Sequence, residues 1–136
     1  MGKIRIGVIC PSEIAYRRFM PALKKCEGIE FAGISTADAS EWNGVLIDEL
    51  KKSETEKAER FISKYGGRLY DSYASLLSSP DIDAVYLPLP PALHYRWGKA
   101  ALENGKHLFM EKPFTTSLDD TRELIELARS KGLAVH

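Results

Sequence analysis

From Ile4 to Cys10 the chain is apolar but for Arg5 near its start. A run of that kind suits a central parallel strand buried on both faces. The period then changes. Between Glu13 and Lys25, Ile14, Phe19, Ala22 and Leu23 fall on roughly one face, with Arg17, Arg18, Lys24 and Lys25 elsewhere, which predicts an amphipathic helix. Ser12 is placed to cap it and Glu13 to complement its dipole, while Pro21 should kink or split it. Glu30 to Ser35 reads as a second strand. From Thr36 to Ser53 the pattern weakens: Trp42-Asn43-Gly44 signals a turn, with a short helix over Val45 to Lys51. Glu54 to Tyr65 is helical and Gly66-Gly67 stops it; a short strand, Arg68 to Tyr70, and a short helix, Ser72 to Leu77, follow. Asp83 to Leu89 is a buried strand whose end is made rigid by Pro88, Pro90 and Pro91. Next come a helix over Ala92 to Asn104 with Gly105 just past its end, a strand over His107 to Met110, and a helix over Ser117 to Lys131 ended by Gly132. Leu133 to Val135 begins another strand.

Strand and helix alternate throughout. The expected fold is therefore α/β: a doubly wound parallel sheet of the Rossmann type, three layers α/β/α, one domain over residues 1–136. Composition narrows the function classes. The 19 basic and 19 acidic residues cancel, which argues against nucleic acid or an anionic membrane as main partner. Cys10 and Cys26 are not spaced as a metal knuckle or redox pair, so no metal site is expected and a reduced, cytoplasmic setting is the default. No apolar run approaches the length of a membrane span.

Open α/β sheets bind ligands beyond the carboxyl ends of their strands. The strand at His107 to Met110 delivers Glu111 and Lys112 to that edge, and Pro113 stops it. A lysine there can hold a phosphate or ribose, or poise a proton near a reacting carbon. The first strand-to-helix turn is the place for a Gly-x-Gly-x-x-Gly/Ala fingerprint, but it reads Cys10-Pro11-Ser12-Glu13-Ile14-Ala15. Only Ala15 fits. Cys10 and Ser12 replace glycines, Pro11 removes an N–H, and the Glu13 carboxylate competes with a phosphate for the helix N-terminus. On the fingerprint alone the turn reads as structural. At the end of the second strand Ser35 and Thr36 can bond the ribose of NAD or of NADP, and Asp38 falls slightly late for the acid that binds ribose hydroxyls.

Taken together, these blocks resemble the glucose–fructose oxidoreductase / inositol dehydrogenase (Gfo/Idh/MocA) family over nearly the whole chain. They are Ile4–Ile9, Ile14–Leu23, Tyr70–Tyr73, Asp81–Tyr86, Pro88–His94, Ala101–His107 and Glu111-Lys112-Pro113. The resemblance implies the N-terminal nucleotide-binding domain of a dehydrogenase and makes Pro21 a usual member of its helix. It implies NAD or NADP in a cleft lined by Cys10, Ser12, Glu13, Ile14 and Ala15, by Ser35 and Thr36, by Leu89, Pro90 and His94, and by Glu111 and Lys112. By the same resemblance Lys112 lies beside the nicotinamide and is catalytic. Pro91 stands where the family commonly has an asparagine. The family's second domain, which binds substrate, supplies the catalytic histidine and usually builds the oligomer interface, is absent from these 136 residues, and the end at His136 favours a cut chain.

Two functions are thus expected to compete. One is the cofactor domain of an oxidoreductase acting on a sugar or polyol-like substrate, inactive by itself, since it orients only one reactant. The other is a non-catalytic nucleotide-binding or interaction module, forming a homo-oligomer or joining a partner chain through its exposed domain face.

Overall fold

The computed structural model describes residues 2–41 and 48–136. Five parallel strands, β1 (Ile4–Ile9), β2 (Ile29–Ser35), β3 (Arg68–Tyr70), β4 (Ala84–Leu87) and β5 (His107–Met110), form one sheet in the order β3-β2-β1-β4-β5. The order reverses between β1 and β4, so the crevice of a doubly wound sheet opens at their carboxyl ends. Arg5, the interruption of the first apolar run, clamps this central pair at its far end: Nε donates to Asp83 Oδ2 and Nη2 to Oδ1, both at 3.0 Å.

Each sheet face has its own core. One face carries α2 (Asp48–Tyr65) and the helical rod after β1, a π-helical stretch, Ala15–Phe19, that runs into α1 (Met20–Lys24). Val8, Ile34, Phe61 and Tyr86 pack there, with Phe19 stacked on Tyr86 at 3.8 Å between ring centres. The other face carries α3 (Tyr73–Leu77), α4 (His94–Glu103) and α5 (Leu118–Lys131), packed through Leu76, Trp97, Leu102 and Leu124. Gly33 is needed where β2 meets β3: a Cβ there would lie 2.6 Å from the Arg68 carbonyl oxygen.

The helix that Pro21 was expected to break is preserved. The Met20 N–H bonds back to the Ala15 carbonyl, five residues away, and this wider turn places Pro21 at the start of α1, where a missing N–H is tolerated. Helix α2 is longer than the expected Glu54–Tyr65, since it is already formed at Asp48. The expected turn at Trp42-Asn43-Gly44 and the first part of the Val45–Lys51 helix lie outside the described residues. The strand expected to Leu89 ends at Leu87, and Pro91–Leu93 is a 3₁₀ turn leading into α4. Ser72 and Ser117 cap α3 and α5 through their side-chain oxygens, and Gly132 takes the left-handed conformation after α5, where the helix was expected to end. Beyond it the chain starts to pair with β5, the His136 N–H donating to Leu108 O at 2.9 Å.

Candidate functional site

The carboxyl edge at the β1/β4 reversal holds a shallow cleft of about 850 Å³ lined by Glu13, Ile14, Arg17, Arg18 and Lys112. Lys112 meets residues 94 to 99 positions earlier in the sequence here because β1 and β5 end on the same side of a parallel sheet. Cys10 makes the turn out of β1 with φ +86°, the left-handed region where glycine is the usual occupant. Its thiol is pushed up to about 12, first by burial and then by the Glu54 carboxylate, so it is no nucleophile at neutral pH. Cys10→Gly is expected to be neutral or stabilising by up to about 1 kcal/mol, whereas Cys10→Val should cost about 2 kcal/mol. Urea unfolding of the two variants checks this, and equal stability would show that the turn carries no strain.

Ser12 caps the rod, its Oγ accepting the Ala15 N–H at 3.1 Å. The N–H groups of Glu13 and Ile14, in the first turn, have no intrahelical acceptor, as at any helix start. Glu13 competes with a phosphate less than expected. Its carboxylate is drawn to Arg17 at 3.5 Å and Arg60 at 3.3 Å. Ile14 is exposed and Ala15 fully buried, which lets the rod pack closely on the sheet. Lys112 is exposed, and among the described residues its ammonium makes no hydrogen bond or ion pair. Glu111, beside it, accepts a 2.5 Å hydrogen bond from the buried Tyr86 hydroxyl. Burial and this carboxylate together raise the Tyr86 pKa, so the phenol stays protonated and acts as the donor.

Several expected contacts do not reach the cleft. His94 is fully buried, with Nδ1 2.9 Å from Pro113 O and 3.0 Å from Phe114 O, and Nε2 2.8 Å from Leu89 O. Its ring staples the loop after β4 to the loop carrying Lys112. Leu89 is buried against the core, while Pro90 is exposed at the rim. Ser35 is fully buried, its Oγ without a partner among the described residues. Thr36 is also buried, and its Oγ1 accepts from Lys51 Nζ at 2.6 Å.

Two residues that were not singled out as site residues organise this corner. Lys51 reaches back to Thr36 Oγ1 and to the carbonyls of Ala37 and Asp71, both at 2.7 Å. Glu41 is buried, and its carboxylate accepts the N–H groups of Tyr73 at 2.7 Å, Ala74 at 2.9 Å and Asp38 at 3.0 Å. Both contacts span a loop with no periodic pattern, so neither was visible in the sequence.

Residues 4–136 match the model of the oxidoreductase family with an NAD-binding Rossmann fold. The chain belongs to this Gfo/Idh/MocA family. It is 38% identical over 130 residues to the dTDP-3,4-didehydro-2,6-dideoxy-alpha-D-glucose 3-reductase of Saccharopolyspora spinosa, covering 96% of this chain and 34% of that protein. It is 31% identical to a D-xylose 1-dehydrogenase (NADP(+)) of Haloferax volcanii, covering 95% of this chain and 35% of that one. Among solved structures it is similar to KijD10, a 3-ketoreductase from Actinomadura kijaniata in complex with NADP and TDP-benzene. There the TM-score is 0.81 at 36% identity, over 97% of this chain and 36% of KijD10. The chain thus spans about a third of the length of these family members. The turn at Cys10 and Ser12 departs from the Gly-x-Gly pattern of dinucleotide-binding Rossmann folds.

Proposed function

We propose that this chain is the cofactor-holding part of a sugar-directed oxidoreductase, with Lys112 as its contribution to catalysis. The observation that carries the reading is the meeting of a helix start (Glu13 and Ile14) with Arg17, Arg18 and Lys112 in one cleft. The residues fit a nicotinamide dinucleotide. The free N–H groups of Glu13 and Ile14 would hold the pyrophosphate, with Arg17 and Arg18 adding positive charge. Such a cofactor, when bound, supplies or accepts the hydride. The chain's own part is positional and electrostatic. The Tyr86 hydroxyl fixes the Glu111 carboxylate, the His94 ring fixes the Pro113–Phe114 backbone, and Lys112 between them is delivered to the cleft on a short, doubly anchored segment. Its ammonium can donate to a substrate oxygen and stabilise the negative charge that develops there. Substrate identity would be read by residues outside this chain, a 3-keto sugar nucleotide being the class suggested by the relatives' names.

Titration with NADH and NADPH, followed by tryptophan fluorescence, tests this reading. Micromolar binding of at least one form, weakened in Lys112→Ala, is the expected result. Failure of both forms to bind at millimolar concentration would overturn it. The Cys10 and Ser12 replacements would then favour a module that keeps the fold without the cofactor.

A further inference from the structure

We infer that Arg60 is a positioning residue for cofactor binding: from outside the cleft it holds the Glu13 carboxylate, which leaves Arg17 free to meet the pyrophosphate; this rests on the cofactor reading above. Among the described residues, Glu13 is the acid that lines the cleft, beside Arg17, Arg18 and Lys112. It stands in the first turn of the rod, where a carboxylate and a phosphate are drawn to the same unpaired N–H groups. Its oxygens are divided between two arginines. Oε1 accepts from Arg60 Nη1 at 3.3 Å, and Oε2 lies 3.5 Å from Arg17 Nε.

The two arginines are held differently. Arg60 belongs to α2 and stands behind the cleft wall. Its guanidinium lies over the Tyr16 ring, 4.2 Å from the ring centre. That ring packs edge-on against Phe61 at 5.1 Å and Tyr65 at 6.5 Å, both on α2. Cation–π contact and ion pair together fix Arg60 between the helix and the rod. Arg17 has only the Glu13 contact among the described residues, and its side chain is 76% exposed against 51% for Arg60. An arriving anion therefore draws Arg17 away easily, while Arg60 stays on Glu13. Without Arg60 the outcome changes. Either Arg17 remains on Glu13 and is lost to the phosphate, or it leaves and the bare carboxylate repels the phosphate at the helix start. Arg60 thus sets the charge of a cleft that it does not enter.

Dissociation constants of NADH and NADPH for this chain, measured by calorimetry at one low ionic strength, test the inference in a double-mutant cycle of Arg60→Ala and Glu13→Gln. We expect Arg60→Ala to weaken whichever form binds by about three- to tenfold. In the Glu13→Gln background the same substitution should cost less than about twofold, because the carboxylate that Arg60 restrains is gone. An unchanged affinity in Arg60→Ala would overturn the inference and leave the cofactor reading intact. An equal loss in both backgrounds would also overturn it, since Arg60 would then act on the cofactor or on the fold without Glu13. Binding of neither form by the parent chain would overturn the cofactor reading and this inference with it. Unchanged circular dichroism confirms that the variants are folded.

Discussion

Lys112→Ala is expected to lower hydride transfer by about 10²–10³-fold, the loss found when one preorganised donor to a developing oxyanion is removed. The reason is positional. Lys112 is exposed and tied to nothing among the described residues, whereas the backbone on either side of it is anchored: Glu111 by the Tyr86 hydroxyl and Pro113 by the His94 ring. Removing the ammonium should therefore take away the donor without moving the loop. The rate is to be read in single turnover, in a protein that pairs this domain with a substrate-binding region. Thermal stability should stay within about 0.5 kcal/mol of the parent, as for surface substitutions in general. Cofactor affinity should fall less than the rate does. A rate within threefold of the parent would remove Lys112 from the chemistry. A large fall in stability would show a structural role that the geometry does not indicate.

Glu41→Ala is expected to cost about 3 kcal/mol or more. Its buried carboxylate satisfies three backbone N–H groups, two of them at the start of α3 and one on Asp38. Each buried donor left without a partner costs about 1–3 kcal/mol, partly regained where water can enter. Glu41→Gln should fall between, because one amide oxygen can still accept while the charge that strengthens these bonds is gone. Chemical denaturation measures both. A loss below about 1 kcal/mol would mean that the loop re-forms these bonds without the carboxylate.

The sheet and its strands were legible because each strand is a short apolar run bounded by turn residues. The first strand was read one residue too long, to Cys10, while His107–Met110 follows from local pattern and the stop at Gly132 from residue type. The Glu-Lys-Pro segment at the end of β5 was legible for the same reason, and its family resemblance pointed to the crevice before any geometry did. The burial of His94 was not legible, because a histidine at a helix start looks alike whether it faces the surface or the core. Only the meeting of the β4 and β5 loops makes three carbonyls its neighbours.

The sequence by itself thus determined the α/β class, the strand order's raw material, the family and the lysine at the sheet edge, since each is written in local periodicity or contiguous motif. The tertiary structure alone decided which side chains reach the cleft. Lys51 folds back onto Thr36 across 15 residues, Glu41 caps a helix 32 residues away, and Glu13 is drawn off by Arg60 across 47. Such pairings carry no signal in sequence spacing. They exist because a parallel sheet brings the carboxyl ends of distant strands to one edge, where burial forces each polar group to find whatever partner the fold has placed beside it.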